Sequence, residues 1–491
     1  MADEPLATDH WAYETVYELY AAGVWGRWPI GTRPWYRGDI VKRLAELSDP
    51  QGVAGRAPNA HRQWLLARLR SEFDANLGAD SLPGRLAWRL GGSPGVQARL
   101  DRFDDPLLRS RFAAFAGVGQ GPWWVRVRGD LDSHGDLDPT FFGREWKGNL
   151  TGTIDLGLFS WRRGGVEFLV GRDFVRWGSG SHDVLLLNDQ SPPFDLARFG
   201  FHHRLFDFHY FFTGLDDNFA SPGDDPAYVA PDVKRYLAGH RLEIRPWRTL
   251  ELGFAEVVVW GGPGRQLEAY YLNPFLPFYW EQLNANRDDN PLWSLDASYV
   301  VPGGPMLYAE WLIDDFQIDF SSEPHEIGGM LGMNWADFAG LTGSFVTLEW
   351  TRIQQTVFGQ NRPYNRYLNR RVGMGSILGP DADRWYVQWR QHLTLAVDLT
   401  ARWWRSRKGE RNIDTPQAGA VPYGEDFPSG IPEVTTHAEL RARYQPDAHV
   451  QIQLYGGYQW ARNAGHVDGA RRDGGFAGLA CELSGWRVGR F

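Results

Sequence analysis

A strict alternation of apolar and polar residues governs this chain after about Gly121. Its clearest example puts Leu393, Leu395, Val397, Leu399, Ala401 and Trp403 on one parity and Thr394, Ala396, Asp398, Thr400 and Arg402 on the other. Because successive side chains of a β-strand point to opposite faces, this pattern predicts a strand with one apolar and one polar face. The stretch is also long enough to cross a bilayer as a tilted strand, which needs about 9–11 residues.

The same alternation recurs at several other places in the chain. Its apolar members are Ala438, Leu440, Ala442 and Tyr444, then Val450, Ile452 and Leu454, then Val346, Leu348 and Trp350, and finally Leu150, Ile154, Leu156 and Leu158. The opposite parity mixes Arg, Glu, Asp and His, which suits a hydrated lumen where charges pair across strands. The sequence therefore predicts an all-β transmembrane antiparallel barrel. A soluble β-sandwich or propeller is the alternative, although their strands average only about 5–6 residues.

The composition agrees with a barrel and argues against one class of partner, nucleic acid. The chain has 24 Trp, 19 Tyr and 28 Phe with 57 Gly, and yet its mean hydropathy is −0.42. This mixture suits aromatic girdles facing lipid around a polar lumen, and it would also suit a protein that stacks sugars on indole rings. The net charge of −9, with no basic run, argues against nucleic acid as a partner.

Four features bear on the compartment. No stretch of 18 apolar residues exists, so no transmembrane helix is predicted. The single cysteine, Cys481, excludes an internal disulfide and a CxxC metal site. The first five residues, Met-Ala-Asp-Glu-Pro, lack the basic and apolar regions of a signal peptide, and we expect that the signal has been removed. Phe491 at the other end is the kind of aromatic that closes the final strand of an outer-membrane barrel.

The N-terminal part shows helical rather than alternating periodicity. We predict helices over residues 10–24, 40–47, 60–77 and 96–115, the first from the spacing of Trp11, Val16, Leu19 and Tyr20. They predict a small α-helical bundle, and we place an N-terminal helical domain at residues 1–120 and the barrel at 121–491. An alternative for residues 9–37 is a single S-layer-homology motif, although such motifs usually occur in threes.

Three segments resemble the Wzi capsule-assembly family of outer-membrane proteins. Residues 166–199 read VEFLVGRDFVRWGSGSHDVLLLNDQSPPFDLARF, residues 270–282 read YYLNPFLPFYWEQ, and residues 307–319 read LYAEWLIDDFQID. The family's glycine-rich turn after a strand is recognisable at Gly171, Arg172, Trp177, Gly178 and Gly180. Ser179 stands where the family pattern leads us to expect proline.

The resemblance implies a fold and a role that periodicity alone does not give. It implies a barrel of about 18 strands with a helical bundle on the periplasmic side, located in the cell outer membrane. It also implies a lectin-like protein that binds and retains capsular or exopolysaccharide at the cell surface. The expected partners are surface polysaccharide, outer-membrane lipid and a periplasmic or export-machinery protein. We expect a monomer.

The motifs of common enzymes are absent from the sequence. There is no HExxH, P-loop or Rossmann fingerprint in context, and Gly178-Ser179-Gly180-Ser181 has the wrong order for a GxSxG elbow. The paired acids Asp288-Asp289 and Asp314-Asp315 suit lumen salt bridges better than catalysis, because adjacent residues of a strand point to opposite faces. His202, His203, His209 and Asp207 lie close in sequence, but lumen hydrogen bonding explains them as well as metal ligation does. We predict a protein without enzymatic activity, cofactor or metal.

Carbohydrate binding requires a flat aromatic ring for the C–H face of a sugar and polar side chains for its hydroxyls. Two combinations fit, namely Arg172 with Trp177 and Asp183, and Tyr271 and Asn273 with Trp280 and Glu281. Packing in a turn or an aromatic belt is the alternative role for Trp177 and Trp280. For the whole protein, a porin-like channel or polysaccharide export component is the alternative function, and a lipid- or glycan-hydrolysing barrel is a third.

Overall fold

The computed structural model describes most of the chain in atomic detail. The described residues are 3–47, 59–77, 86–102, 105–138, 141–217, 219–221, 224, 232–315, 326–415 and 426–490. Phe491, which we predicted to close the last strand, lies outside them. Among the described residues, none of the helices combines the length and apolar character that a membrane-crossing helix needs.

Eighteen strands form one closed sheet in the described part of the chain. In chain order they are β1 (Ala87–Asp101), β2 (Leu107–Gln120), β3 (Trp123–Asp132), β4 (Thr151–Arg163), β5 (Val166–Asp173), β6 (Phe194–His202), β7 (Phe206–Leu215), β8 (Lys234–Ile244), β9 (Leu250–Gly262), β10 (Asn290–Val300), β11 (Met306–Asp315), β12 (Glu326–Ala336), β13 (Ser344–Ile353), β14 (Ala382–His392), β15 (Val397–Lys408), β16 (Glu433–Tyr444), β17 (Val450–Arg462) and β18 (Arg471–Leu483, continued by Gly485–Arg490).

The sheet closes because β18 pairs with β1 as well as with β17, and every neighbouring pair is antiparallel. The predicted antiparallel barrel is therefore confirmed. Short turns, such as those at residues 121–122 and 164–165, join the strands at one end of the barrel, while most connections at the other end are long. We call these the short-turn end and the long-loop end. Their asymmetry is typical of transmembrane barrels, whose extracellular loops are the longer ones.

The predicted alternation appears as an apolar outer surface and a polar interior. Leu440 on β16 and Leu454 on β17 point outward and are exposed, whereas Asp398 and Thr400 on β15 are buried in the lumen. Strand β15 begins at Val397, so that Leu393 and Leu395 belong to the preceding turn rather than to the strand. An outer surface covered by exposed leucine, valine, phenylalanine and tryptophan is what a lipid-facing barrel requires.

One predicted apolar face is wrong. Ile154 is 52% exposed on the outer surface, whereas Leu156 and Leu158 are 2% and 5% exposed and face the lumen. The register between β3 and β4 shifts at this place, where Arg128 pairs with Leu156 but Gly129 pairs with Ile154. A β-bulge inserts one residue, here Asp155, and reverses the parity of everything after it.

The N-terminal segment contains three described helices, α1 (Ala12–Ala21), α2 (Arg37–Glu46) and α3 (Ala60–Leu77). They confirm the first three helices of the sequence analysis with shifts of a few residues at the ends. The segment fills the short-turn end of the barrel and packs on its inner wall, with Tyr20 of α1 only 3.5 Å from Ser298 of β10 between hydroxyl oxygens. Trp25, Trp28 and Trp35 pack edge to face inside it. We call residues 3–47 the plug.

The fourth predicted helix, over residues 96–115, is wrong. These residues lie in β1 and β2, so the barrel begins at Ala87 and the boundary that we placed at residue 120 is too late. The alternation is present there, since Val96, Leu100, Leu108 and Phe112 all point outward. Small residues between them weaken the period-two signal, and pairing with neighbouring strands decides the conformation.

Candidate functional site

One side of the lumen is filled by chain from both ends of the barrel. The loop between β5 and β6, residues 174–193, folds inward until it meets the plug. Arg176 and Trp177 pair with Thr32 and Arg33 as a two-stranded ladder, and the Tyr17 hydroxyl of α1 donates a 2.8 Å hydrogen bond to the Ser179 carbonyl. The two inserted segments therefore support one another across the lumen.

Two lumen-facing carboxylates fix this loop to the barrel wall. Glu310 on β11 accepts hydrogen bonds from the backbone N–H groups of Gly180, at 2.5 Å, and Leu185, at 2.8 Å. Glu349 on β13 accepts hydrogen bonds from the N–H groups of Ser181 and His182, both at 3.2 Å. Since buried N–H groups need acceptors, these carboxylates hold the glycine-rich loop in one conformation.

The opposite side of the lumen is open. A cavity of about 430 Å³ lies against the inner faces of β1, β16, β17 and β18. Polar side chains dominate its lining, and they are Gln97, Arg99, Asp101, Glu439, Arg441, Gln453 and Gln459. His437, Tyr455 and Phe476 supply its rings. We call this cavity and the ring row beside it the lumen groove.

A row of aromatic rings runs around the inner wall into this cavity. The His182 ring stacks on Tyr386 with 3.8 Å between centroids, and Trp404 stacks on His437 at 3.6 Å. Tyr386 and Trp404 are 6.4 Å apart, and His437 and Phe476 are 4.9 Å apart. The row therefore crosses β14, β15, β16 and β18 as one nearly continuous set of planar faces.

Charged and amide groups lie beside these rings. Glu439 contacts Arg402 at 3.4 Å and Arg441 at 3.1 Å, and Arg441 also donates a 3.0 Å hydrogen bond to Gln453. Gln97 donates a 2.6 Å hydrogen bond to the Tyr455 hydroxyl. Fixed amide, guanidinium and hydroxyl groups beside planar rings can bind the hydroxyls and carboxylates of a sugar while the rings contact its C–H faces.

The His182 imidazole, which begins the row, belongs to the inserted loop rather than to a strand. Burial and the positive charges of Arg384 and Arg402 hold the pKa of His182 well below its usual range. The ring is therefore neutral near pH 7, which suits its stacking on Tyr386 without the desolvation of a charge.

The first predicted set of binding residues lies around the inserted loop, not in the groove. Trp177 is 1% exposed and packs against Phe211, and Asp183 is fully buried, where it accepts hydrogen bonds from Ser376 and Asn188. Arg172 is accessible, and its Nε and Nη2 groups donate hydrogen bonds to the Asp195 carboxylate. Trp177 and Asp183 therefore have protein on every side and position the loop.

The second predicted set lies on the outer wall of the barrel. The loop after β9, residues 263–289, includes helix α4 (Phe278–Asn284) and covers the outward-facing residues Val258 and Trp260. Tyr271 is fully buried there and donates a 2.8 Å hydrogen bond to Asp289. Asn273 and Trp280 are exposed, and Glu281 is half-buried. For these three and Arg172, carbohydrate binding stays a prediction.

Two clusters of histidine and carboxylate side chains occur in the described residues, and an arginine pairs with the carboxylate of each. His202, Asp207 and His209 come together as the sequence suggested, but Asp207 pairs with Arg245 at 2.8 Å. Glu18, His61 and His392 form a second group, in which Glu18 pairs with Arg390 at 2.7 Å. A guanidinium already supplies the positive charge at each place, so both clusters are ion-pair networks in this structure.

Some groove residues were predicted to face the lumen, but none to bind a ligand. The predicted binding residues are aromatic and polar residues a few positions apart, whereas the groove assembles one ring from each of several strands. A signal was present in the sequence, because Tyr386, Trp404, His437 and Tyr455 all fall on the lumen-facing parity of strands β14 to β17. Rings on the polar parity of consecutive strands are the pattern to search for.

A closed antiparallel barrel with an apolar outer surface and a polar lumen defines an outer-membrane β-barrel protein, and this one carries a plug and an aromatic lumen groove. The family model of the capsule assembly protein Wzi matches residues 108–473. The chain therefore belongs to the Wzi capsule assembly protein family and is a protein of the outer membrane.

Solved structures with the same fold include Wzi of Escherichia coli, described as an outer-membrane protein involved in group 1 capsule assembly and as a carbohydrate-binding β-barrel. That structure has a TM-score of 0.64 at 14% identity, with 98% of this chain and 99% of that chain covered. OccK10 (OpdN) of Pseudomonas aeruginosa has a TM-score of 0.46 at 12% identity, with 81% of this chain and 99% of that chain covered.

A curated relative is the LPS-assembly protein LptD of Xylella fastidiosa (strain 9a5c). It is 25% identical over 308 residues, which are 55% of this chain and 37% of the relative. The match thus spans little more than a third of that protein's length.

Proposed function

We propose that this protein is an outer-membrane lectin that binds capsular or exopolysaccharide and retains it at the cell surface without catalysing a reaction. The observation that carries the proposal is the aromatic row of the lumen groove, with charged and amide groups beside a cavity of about 430 Å³. Membership of the Wzi family and the carbohydrate binding attributed to the Escherichia coli protein support it.

The groove chemistry favours an acidic polymer. Arg99, Arg402 and Arg441 stand beside the rings, and the carboxylates among the described groove residues are Asp101 and Glu439. Guanidinium groups bind carboxylates in a two-point geometry and tolerate partial burial, so they suit the uronate or pyruvate groups of such polymers. The accessible candidates Arg172, Asn273 and Glu281 would then make secondary contacts outside the groove.

The orientation of the barrel follows from its two ends. Since outer-membrane barrels place short turns in the periplasm and long loops outside, the long-loop end faces the cell exterior. The plug then closes the periplasmic side, and a polymer from the cell surface enters the groove from above. The N-terminal helices are in this arrangement a periplasmic element docked in the barrel mouth.

The function is tested in cells that produce an acidic capsule. We expect deletion of the gene to release polymer from the cell surface into the medium, and the wild-type gene to restore cell-bound polymer. Purified protein should also retain the isolated polymer in a pull-down. Unchanged cell-bound capsule after deletion, together with failure of the pull-down, would refute the proposal.

A channel is the second candidate function, and one observation favours it. A further cavity of about 440 Å³ lies at the short-turn end and is lined by Gln451 and Glu482. Each of them is two residues along the same lumen-facing side of a strand from a groove residue, Gln453 or Ala480, so that the two cavities are neighbours along the lumen. Planar-bilayer recording separates the candidates. The inserted loop and plug predict a nearly silent lectin barrel, whereas large stable open steps would show a porin.

A further inference from the structure

A second cavity lies at the short-turn end, on the side of the barrel away from the groove. It has a volume of about 900 Å³ and is enclosed by helix α2, the plug residues Trp28 and Pro29, and the turns that follow β4, β6 and β8. Among the described residues, eight cationic side chains line it, namely Arg27, Lys42, Arg43, Arg162, Arg163, Arg204, Arg245 and Arg248. We call it the basic cleft.

The carboxylates of the cleft are fewer, and they already have partners. The lining contains four of them among the described residues, which are Asp3, Asp39, Glu46 and Asp207. Their ion pairs are Arg162 with Asp3 at 2.7 Å and Asp39 at 2.8 Å, Arg43 with Glu46 at 2.7 Å, and Arg245 with Asp207 at 2.8 Å. None of these carboxylates is left to neutralise the other cations.

Five cations therefore lack an ion pair within the described part of the chain, and they are Arg27, Lys42, Arg163, Arg204 and Arg248. They line the same cavity, where Arg204 and Arg248 lie close enough to Arg27 to act on its charge. The Nη2 atom of Arg248 lies 3.3 Å from the position that a Cβ atom on Gly26 would take, and the Arg43 guanidinium lies closer still. Burial and the positive charges of Arg204, Arg248 and Arg245 lower the pKa of Arg27.

Water screens these cations, since four of the five are exposed, and an anion bound among them would offset the repulsion that remains. The excess of positive charge is local, because the whole chain carries a net charge of −9. The cations come from the plug, which includes α2, from the end of β4 and from the turns after β6 and β8, so the fold rather than a basic run of sequence brings them together. Their convergence on an open cavity marks a site for a ligand with several negative charges.

We infer that the basic cleft binds an acidic oligosaccharide, a chain that carries several carboxylates. The cleft walls are the plug and the lumen side of the barrel end, where Asp207 and Arg245 face inward. A ligand therefore approaches from the aqueous space below the barrel rather than from the lipid around it. This site goes beyond the proposed function, which concerns the long-loop end.

The test is a titration of the detergent-solubilised full chain with a linear tetramer of galacturonic acid, and with maltotetraose as the neutral probe. The variant is the triple change Arg163→Gln, Arg204→Gln and Arg248→Gln, all at exposed positions. Arg405→Gln, an exposed arginine far along β15, is the matched control. All titrations are repeated in the Trp404→Ala background, where binding of sugar in the groove should be weakened.

We expect the acidic tetramer to bind the wild type and the Trp404→Ala protein, with an affinity that falls as salt is added. In the Trp404→Ala background the triple variant should lose at least tenfold in affinity, whereas Arg405→Gln should not; in the wild-type background the groove still binds the tetramer and the loss should be smaller. The inference is overturned if the tetramer does not bind the Trp404→Ala protein, if the triple variant in that background binds it as tightly as the Trp404→Ala protein does, or if maltotetraose binds equally well.

Anionic phospholipid is the competing ligand for the basic cleft. Native mass spectrometry of the protein in nanodiscs distinguishes it from the acidic oligosaccharide. Phosphatidylglycerol retained by wild type but not by the triple variant in native mass spectrometry, without binding of the tetramer, would assign the cleft to lipid and overturn the inference. Capsule retention in cells that produce the Trp404→Ala protein tests the groove, and titration of the triple variant in that background tests the cleft. The cleft and the proposed function can therefore fail separately.

Discussion

The Glu4 carboxylate joins the plug to the barrel wall through three guanidinium groups. It lies 3.1 Å from Arg37 of α2, 3.2 Å from Arg89 of β1 and 3.1 Å from Arg126 of β3. Burial alone would raise its pKa, but the charges of Arg89, Arg126 and Arg37 lower the pKa of Glu4 to about 2. Removing one partner of a buried ion network leaves uncompensated charge, which costs about 3–5 kcal/mol.

We therefore expect Glu4→Gln to weaken the docking of the plug by up to about 3–5 kcal/mol. The measurement is native-state hydrogen exchange of the α2 amides, which should become faster. Glu145→Gln, at an exposed carboxylate in the loop after β3, is the matched control and should change nothing. Equal protection of α2 in Glu4→Gln and wild type would show that Glu4 does not hold the plug.

The same residue predicts how plug docking depends on pH. Because the folded pKa of Glu4, about 2, lies below its ordinary value of 4.5, its contribution to stability is fully present above pH 4.5. It is lost as the pH falls through 4.5 towards 2. Exchange of the α2 amides, corrected for intrinsic rates, should accelerate over this window in wild type and less so in Glu4→Gln. An identical pH profile in the two proteins would contradict the assignment.

At the scale of elements, the inserted loop depends on a glycine. Gly178 has φ of +138°, and a Cβ atom there would lie 2.5 Å from Glu310 Oε1 and 2.8 Å from Val184 Cγ1. We expect Gly178→Ala to loosen residues 174–193, which limited proteolysis would detect. Gly303, in the turn after β10, also has a positive φ, +77°, but a Cβ atom there would have no neighbour within 4 Å. Residues 174–193 should therefore stay protected in Gly303→Ala. Equal protease resistance of residues 174–193 in both variants would contradict this.

Helix α4 is held against the outer wall rather than above the barrel mouth. Glu256, an outward residue of β9, accepts hydrogen bonds from the Phe278 and Tyr279 N–H groups, both at 2.9 Å, and from the Trp293 indole at 2.8 Å. Trp280 is 64% exposed on this surface, beside the apolar band of the barrel. Tryptophan is favoured at a membrane interface because its ring is both apolar and polar.

We therefore expect Trp280→Ala to lower the thermal stability of the protein in bilayers while changing polysaccharide affinity less than twofold. Trp280→Phe should restore most of the stability, since it keeps an apolar ring. A large loss of polysaccharide affinity in Trp280→Ala would instead support the carbohydrate role that the sequence suggested for this residue.

Some strands could be predicted from the sequence, and others could not. The strand faces of β13, β15 and β16 could be predicted, because their alternation is strong over a whole strand. The bulge at Asp155 could not, since one extra residue reverses parity without any change of residue type. Residues 96–115 fit a helix as well as a strand in sequence, because apolar side chains at period two and at helical spacing coincide over short Ala-rich stretches.

At the scale of the whole molecule, the barrel could be predicted but the groove and the basic cleft could not. The barrel follows from a local pattern repeated along the chain. Trp404 and His437 of the groove are brought together by pairing between strands, and the cleft cations Arg27, Arg204 and Arg248 by the closure of the barrel around the plug. Side chains that meet only through such closure leave no local signal in one sequence.

Two neighbouring tryptophans distinguish binding of acidic polysaccharide in the lumen groove from a general effect on the barrel. Trp404 faces the groove, where it stacks on His437, whereas Trp403 faces outward and is 38% exposed. Loss of an aromatic contact in a desolvated site is worth about 1 kcal/mol or more, which is roughly a fivefold or larger loss of affinity.

The measurement is the affinity of the purified protein for acidic capsular oligosaccharide, by calorimetry, in Trp404→Ala and Trp403→Ala. We expect Trp404→Ala to lose at least fivefold and Trp404→Phe to recover most of it. Trp403→Ala should bind like wild type. Equal affinities of Trp404→Ala and wild type, or equal losses in the two alanine variants, would show that the lumen groove does not bind the polysaccharide.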